Sequence, residues 1–192
     1  ESGKSVCTSN KELVAKHGAE LLEIAKQNKL NFLFEASVGG GIPIIRPLNQ
    51  CLTANKIESI AGILNGTTNF ILTKMINEGQ SFEDALKTAQ KLGYAEADPT
   101  ADVEGIDTCR KISILASLAF GKHVNPDTVV TQGISKVSLE DMVRADKLGY
   151  TIKLLGMVKK ATDDKFFINV APYLVEKSNP LSTVQDVFNA IL

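Results

Sequence analysis

The sequence GYAEADPTADVEGIDTCRK occupies residues 93–111 and lies between a helix-ending glycine and a strongly apolar segment. It holds five carboxylates in 19 residues, and these are Glu96, Asp98, Asp102, Glu104 and Asp107. Ionised carboxylates are unfavourable to bury without partners, so such a dense group disfavours folding unless it has a use. We therefore expect this segment to form one wall of a polar pocket, closed at its far end by Lys111.

The local pattern predicts a shaped loop followed by a long helix. Pro99 favours an extended residue before it, and a helix is expected over residues 102–120. The second half of that helix is apolar nearly all round, which is typical of a buried helix. Asp107 and Lys111 are four residues apart and therefore share one helix face. A surface ion pair is the alternative interpretation, but the pair leads directly into the buried half, which favours a site.

The first helix is predicted over residues 11–28, with Ser9 or Asn10 as its N-cap. Lys11 lies in the first turn of this helix, where a cation opposes the helix dipole. An ordinary solvated lysine is the simplest interpretation of that position, and a functional lysine is the alternative.

A glycine triplet follows a predicted strand over residues 31–37. Residues 39–41 are all glycine, and Pro43 is expected to begin a helix over residues 44–52. Free N–H groups at such a junction can hold an anion, and turned carbonyls can hold a cation. A plain tight turn explains the triplet equally well. The dinucleotide fingerprint G-x-G-x-x-G does not occur in the chain.

A second strand, over residues 56–64, ends at the polar sequence NGTTN of residues 65–69. These residues can be a turn and a helix cap. They also place four short polar side chains at the carboxyl end of a strand, where ligands commonly bind in mixed sheets. Ser81 and Asp84 then predict the start of a helix that Gly93 ends.

The last third of the chain predicts an antiparallel hairpin. Ser138 and Asp141 are expected to cap a helix that Gly149 ends, and strands follow over residues 150–159 and 166–175, around Thr162, Asp163 and Asp164. A final strand is expected over residues 187–192. The fold class predicted from the whole pattern is α/β to α+β, a mixed β-sheet covered by helices with a C-terminal antiparallel hairpin.

The composition is that of an ordinary globular chain. Its 192 residues are 44% hydrophobic and 22% charged, and the net charge of -1 gives no reason to expect nucleic acid or an anionic membrane as a partner. The three cysteines lack metal-ligand spacing, so we expect reduced, mostly buried thiols in a cytoplasmic protein. Both ends look cut, which predicts a fragment of a longer protein.

Four motifs together resemble the homoserine dehydrogenase family. They are TSNK at residues 8–11, EASVGGGIPII at 35–45, NGTTNFIL at 65–72 and LGYAEADPTADVEGIDTCRK at 92–111. The resemblance implies an NAD(P)-dependent enzyme that interconverts L-homoserine and L-aspartate 4-semialdehyde in threonine, methionine and isoleucine biosynthesis. It implies that residues 1–10 end a nucleotide-binding domain, and that residues 11–192 are a C-terminally truncated catalytic, substrate-binding and dimerisation domain of a homodimer.

The resemblance also implies roles for single residues. Glu96 is expected to bind the substrate, with Asp107 as its partner, and Lys111 is expected to exchange a proton with the reacting oxygen. Lys11 is expected near both nicotinamide and substrate, and Gly93 near the cofactor. A monovalent cation, Na⁺ in the simplest case, is expected at Glu35, Val38, Gly40 and Ile42. The remaining acids, Asp98, Asp102 and Glu104, are expected to shape or cap the loop, and Asp102 can also support Lys111.

Two other interpretations stay open at this point. The chain can be a non-catalytic assembly domain, in which the acids and lysines form structural ion pairs. It can also belong to a different aldehyde-forming dehydrogenase with a similar catalytic domain. In either enzymatic case, we expect the chain to be inactive alone because it carries no nucleotide fingerprint.

Overall fold

The computed structural model describes residues 2–162 and 165–192. Six helices are found there: α1 (Lys11–Gln27), α2 (Gly66–Glu78), α3 (Phe82–Lys91), α4 (Thr100–Val103), α5 (Ile106–Phe120) and α6 (Leu139–Lys147). The strands of the same residues are β1 (Val6–Cys7), β2 (Phe32–Leu33), β3 (Ser59–Ile63), β4 (Val130–Thr131), β5 (Tyr150–Lys160), β6 (Phe166–Glu176) and β7 (Ala190–Ile191).

The principal sheet has five strands in the order β4-β6-β5-β3-β7. Strand β4 is parallel to β6, and the other neighbours are antiparallel, so the sheet is mixed. The long β5–β6 hairpin pairs Tyr150 with Glu176 at one end and Lys160 with Phe166 at the other. This confirms the predicted fold class and the hairpin, whose turn residues Asp163 and Asp164 lie outside the described residues.

The two faces of the sheet are buried to different degrees. Ile60 and Val158 point into the main core, which the helices cover. Ile63 and Leu155, on the opposite face, belong to a smaller cluster that includes Leu181. The alternation of inward and outward residues along β3 and β5 therefore supplies apolar side chains to both faces.

The predicted helix starts are confirmed by their caps. Asn10 and Asn65 accept from the backbone N–H three residues on, and Ser81 does the same through its hydroxyl. Ser138 and Asp141 form a complete capping box at the start of α6. Sequence signals of this kind are reliable because the cap residue satisfies donors that the helix itself leaves free.

The predictions around the glycine triplet are wrong in detail. The strand expected over residues 31–37 is only Phe32–Leu33, and a turn of 3-10 helix follows at Glu35–Ser37. The helix expected over residues 44–52 contains a π-helical turn, Pro47–Cys51. Pro47 has no N–H to donate to the preceding turn. The wider turn closes through a bond from the Leu52 N–H to the Pro47 carbonyl, five residues apart.

The single helix predicted over residues 102–120 is two helices, α4 and α5. They are separated at Gly105, whose φ of 79° is a left-handed conformation. The backbone at this break lies against Gly133, because the Ile134 N–H donates to the Val103 carbonyl at 2.7 Å. The break turns the chain immediately before Asp107, and so it decides where the carboxylate points.

Gly133 should tolerate no side chain, because a Cβ there would lie 2.0 Å from the Val103 carbonyl oxygen and 2.4 Å from the Glu104 Cα. These are backbone atoms that cannot move aside cheaply. We expect Gly133→Ala to lower the free energy of unfolding by about 2–3 kcal/mol in urea denaturation. Gly18→Ala is the control, since its Cβ meets only Val14 Cγ1 at 3.4 Å inside α1, and it should be neutral or stabilising. Equal stability of Gly133→Ala and the parent chain would contradict the prediction.

The thiols also differ from expectation. Cys109 is buried, but Cys7 and Cys51 are exposed, so the prediction of mostly buried thiols is wrong. All three are free. Within residues 2–162 and 165–192, no helix combines the length and the apolar character that crossing a membrane requires.

Candidate active site

A buried carboxylate lies at the centre of the candidate site. Asp107 is in the first turn of α5 and is only 3% exposed. Its Oδ1 lies 2.5 Å from the Lys11 Nζ, and its Oδ2 lies 2.7 Å from the Lys111 Nζ. Two lysines from the starts of α1 and α5, 100 residues apart in sequence, therefore share one carboxylate.

The Lys111 ammonium has a second fixed partner. It donates to the carbonyl oxygen of Leu64 at 2.8 Å, at the end of β3, and its side chain is 15% exposed. An ammonium has three N–H donors, so the carboxylate and the carbonyl account for two and leave one for a ligand. Lys11 is more open, with a side chain that is 41% exposed, and a second ion pair joins its helix to α5 through Glu12 and Arg110 at 3.2 Å.

Asn65 is a member of this group that the sequence interpretation missed as a site residue. Its side-chain oxygen caps α2, while its Nδ2 donates to Asp107 Oδ2 at 2.9 Å and to Asp102 Oδ1 at 2.7 Å. Asp102 therefore supports the cluster through Asn65 rather than through Lys111. The sequence held the signal, because the NGTTN segment was expected at the carboxyl end of a strand, where either a helix cap or a ligand contact was possible, but Asn65 was not singled out as a site residue.

The charges of the cluster fix the state of Asp107. Burial by itself would raise the pKa of this carboxyl, but the charge of Lys111 and the hydrogen bonds from Lys11, Lys111 and Asn65 outweigh burial and hold the pKa below its usual value. Asp107 is therefore an anion throughout the neutral range. Its role is to hold two cations in place, since a firmly ionised carboxylate is a poor proton donor at neutral pH.

The acidic loop before α4 lies beside the start of α2. The Thr67 hydroxyl donates to the Tyr94 carbonyl at 2.7 Å, and the rings of Phe70 and Tyr94 meet edge to face at 5.0 Å. Glu96 is exposed in this loop, and the only hydrogen bond recorded for it in the described residues is accepted by its backbone carbonyl from Gln90. Its carboxylate is therefore available to a ligand, and its role stays a prediction.

Gly93 ends α3 in a left-handed conformation, with φ at 78°. It is exposed, and a Cβ built there would have no atom within 4 Å. The open space beside its backbone is compatible with a closely approaching ligand, as the predicted cofactor contact requires. That contact stays a prediction.

The predicted cation segment is held by its own backbone. Both oxygens of Glu35 accept backbone N–H groups, from Ile45 at 2.9 Å and from Arg46 at 2.8 Å. Gly39 and Gly41, on either side of Gly40, have positive φ values of 68° and 74°, which turn successive carbonyls in different directions. Carboxylate and carbonyl oxygens are the kind of hard ligand that Na⁺ takes, and a cation held by Glu35, Val38, Gly40 and Ile42 stays a prediction.

The other sites that composition can suggest are not supported. In the part of the chain that the structure describes, no group of three or more His, Cys, Asp and Glu side chains could hold a metal ion. In the described residues, the ion-pair partner of His17 is Glu20, at 3.9 Å on the exposed side of α1. The cluster of Asp107, its two lysines and Asn65 is therefore the site whose chemistry must be explained.

Comparison with solved structures places this fold in one class of enzyme. A homoserine dehydrogenase from Thiobacillus denitrificans superposes with a TM-score of 0.95 and 48% identity, over 99% of this chain and 44% of that chain. A hyperthermophilic archaeal homoserine dehydrogenase solved in complex with NADPH gives a TM-score of 0.82 at 35% identity, over 97% of this chain and 53% of that one. The fold is that of a homoserine dehydrogenase domain.

The sequence comparisons agree. The model of the homoserine dehydrogenase family matches residues 43–192. The homoserine dehydrogenase of Synechocystis sp. is 50% identical over 192 aligned positions, covering 98% of this chain and 44% of that protein. This chain therefore belongs to the homoserine dehydrogenase family, and it spans less than half the length of the curated relatives it matches.

Proposed function

We propose that this chain is the substrate-binding and proton-transferring part of an enzyme that interconverts L-homoserine and L-aspartate 4-semialdehyde with NAD(H) or NADP(H). Such an enzyme acts in amino-acid biosynthesis, on the route to threonine, methionine and isoleucine. Membership of the family supports the reaction, and the archaeal relative that was solved in complex with NADPH supports a nicotinamide cofactor. The contacts of Lys111 support the assignment of the proton.

The observation that carries this proposal is that one of the three N–H donors of the Lys111 ammonium is left for a ligand. Two of its donors are fixed by Asp107 and the Leu64 carbonyl. The third position can therefore donate a hydrogen bond to a reacting oxygen, or present the nitrogen lone pair once the proton has left. A group held in this way exchanges one proton at one place without losing its orientation.

The chain's own residues divide the work as follows. Lys111 takes the hydroxyl proton of homoserine at its Nζ during oxidation and returns it to the aldehyde oxygen during reduction. Asp107 holds Lys111 and Lys11 at the site, and Asn65 holds Asp107. Lys11 attracts the substrate carboxylate, and Glu96 binds its ammonium. The nicotinamide, when bound, supplies or accepts the hydride.

The residues on this chain fit both the cofactor and the cation. Gly93 leaves room for a nicotinamide beside its backbone, and the partly exposed Lys11 can contact cofactor and substrate from one position. Na⁺ would be held by Glu35, Val38, Gly40 and Ile42, and it would stabilise the conformation of the glycine loop. No step of the proton transfer depends on that ion.

The test is turnover by the full-length protein, followed through the absorbance of reduced nicotinamide. We expect oxidation of L-homoserine, and slower oxidation of L-serine by about ten- to a hundredfold, because serine is one methylene shorter. No turnover of homoserine favours the non-catalytic assembly domain, and a preference for another alcohol favours a different aldehyde-forming dehydrogenase. The purified chain of residues 1–192 alone should show no turnover.

We also propose that the chain forms a homodimer through the open face of the principal sheet. On that face Ala61, Met157 and Tyr173 are only half-buried, and Phe167 is 59% exposed. These four side chains lie on one face of adjacent strands, beside Asn169 and Lys159, and an exposed face with this apolar content is of the kind that marks an interface with another protein. A second copy of the chain is self-complementary there if the two faces pack across a twofold axis.

A charge on this face should dissociate the dimer. We expect Met157→Glu to shift the sedimentation coefficient from that of a dimer to that of a monomer, because a carboxylate would be buried without a partner. Leu148→Glu is the control, since Leu148 is also exposed, at 73%, but lies at the end of α6. A dimer that survives Met157→Glu, or a parent chain that sediments as a monomer, contradicts this interface.

A further inference from the structure

A buried lysine outside the candidate site is unexplained by the proposed chemistry. Lys153 lies in the middle of β5 and is only 3% exposed. Its Nζ is 3.0 Å from the Asn69 Oδ1, and it also donates to the Val184 carbonyl. Both partners are uncharged. A buried cation with uncharged partners is unfavourable for stability, so its presence calls for a functional reason.

The surroundings of Lys153 lower its pKa. Burial lowers the pKa of Lys153 to about 8, although the negative charge of Asp186 acts in the opposite direction. The groups that face it are Asp186 from the segment 184–188, Tyr173 across the strand on β6, and the uncharged Asn69 on α2. The Tyr173 hydroxyl is itself bonded to Asn169. Lys153 therefore changes its charge near the upper end of the physiological range.

Lys153 determines which way the Asn69 amide points. An ammonium can only donate, so the Asn69 oxygen must face it and the Asn69 NH2 must face away. That NH2 lies 3.2, 3.0 and 3.3 Å from the carbonyl oxygens of Val184, Asp186 and Phe188. One side chain thus fixes the backbone of the whole segment 184–188, and the lysine fixes that side chain.

The segment 184–188 runs along one face of α2. The Asp186 N–H donates to the Thr73 hydroxyl at 3.1 Å, one turn beyond Asn69. At the other end, a Cβ on Gly66 would lie 2.6 Å from the Val187 carbonyl oxygen, so the backbones are in close contact there. Asp186 adopts a positive φ of 51°, which a non-glycine residue holds only where its surroundings impose it.

The contact between Gly66 and Val187 lies one residue from the candidate site. Gly66 is the first residue of α2, and the residue before it is Asn65, whose amide bridges Asp102 and Asp107. The segment 184–188 therefore packs against the residue that directly follows Asn65.

We propose that Lys153 is a positioning residue for the candidate site: by orienting Asn69 it fixes the segment 184–188 against the first turn of α2, and so holds Asn65 on Asp107. The inference rests on the proposed function, because its consequence is a change in the turnover of homoserine. Protonated Lys153 keeps the segment in place, and its loss of charge loosens the bond to the Val184 carbonyl.

The test uses the full-length enzyme with the variant Lys153→Met. We expect kcat for homoserine to fall by about ten- to a hundredfold, as for a small misplacement at a catalytic site, while the KM for the nicotinamide cofactor stays unchanged. The ratio of parent kcat to variant kcat should also fall toward one as the pH rises through about 8, and the pH dependence due to Lys111 cancels in this ratio because both proteins share it. Lys147→Met, at an exposed position at the end of α6, is the control and should keep both kcat and the pH profile.

The outcomes separate the two proposals. A parent enzyme that does not oxidise homoserine refutes the proposed function, whereas an active parent with unchanged kcat and pH profile in folded Lys153→Met overturns the positioning role alone. If Lys153→Met does not fold, Asn69→Asp replaces it, since one oxygen still faces the lysine, while the donors to the segment 184–188 are lost and the second carboxylate oxygen repels the carbonyls of that segment. Unchanged kcat in that variant overturns the proposal as well.

Discussion

Replacing Lys111 by Met in the full-length protein is expected to lower kcat for L-homoserine by about a thousandfold. The reason is that general acid–base catalysis by a positioned side chain is worth about 10²–10⁴ in rate, and the hydroxyl proton would have no other acceptor at that place. The KM for homoserine should change much less, since the substrate contacts proposed for Glu96 and Lys11 remain. Initial rates measured across substrate concentrations separate the two parameters.

Two comparisons show whether the proton or only the charge matters. Lys111→Arg keeps a cation beside Asp107 but cannot release its proton, so its kcat should be nearly as low as that of Lys111→Met. Lys74→Met is the matched control, because Lys74 forms the same i,i+4 pair with Glu78, at 2.5 Å, on the surface of α2. Near-normal kcat in Lys111→Met, or full activity in Lys111→Arg, would contradict the assignment of the proton to Lys111.

Part of this site can be derived from the sequence by local rules. The spacing of Asp107 and Lys111 places them on one face of any helix, and a helix was predictable there from its apolar second half. The pairing with Lys11 was not derivable in this way, because it joins two helices that meet only in the folded chain. The family resemblance supplied Lys11, and the structure supplied its distance to the carboxylate.

The fold, like the site, has features that local sequence determines and features that distant contacts determine. Caps and stop signals are satisfied by neighbouring atoms, so the starts of α1, α3 and α6 followed from the sequence. The break at Gly105 did not, since it depends on the close approach of Gly133 from a distant part of the chain. The strands expected over residues 31–37, 56–64 and 187–192 were predicted too long, because pairing partners, and not propensity, determine where a ladder ends, whereas the two hairpin strands were each predicted to within one residue.

Asn65 shows why a polar residue can be assigned too simply. Its oxygen satisfies the helix cap that the sequence predicts, and the alternative of a ligand contact was left open without choosing among the polar residues 65–69. An amide has a second, donating end, however, and in the structure that end links two carboxylates. Asking where both ends of a capping asparagine go would have identified it as a candidate for the site.

Removal of the central carboxylate is expected to have the largest effect on stability. Asp107→Ala should lower the free energy of unfolding by about 3 kcal/mol in urea denaturation, because it removes the carboxylate that pairs with the largely buried Lys111 and takes away one of the two acceptors of the Asn65 Nδ2. The value lies at the lower end for a broken buried pair, since Lys11 is 41% exposed and can turn to water. Asp146→Ala removes the half-exposed pair with Lys177 and should cost less than about 1 kcal/mol.

The pH dependence tests whether charge causes this loss. The pKa of Asp107 is lowered in the folded chain, so between the folded and unfolded pKa values the unfolded chain binds more protons. The stabilisation by Asp107 is therefore complete above its unfolded pKa, near pH 4, and is lost as the pH falls through the lower folded value. In the isosteric Asp107→Asn variant this loss cannot occur, so the stabilities of parent and variant should converge in acid. A difference that stays constant from pH 7 to pH 3 would mean that packing, and not the two lysines, makes Asp107 important.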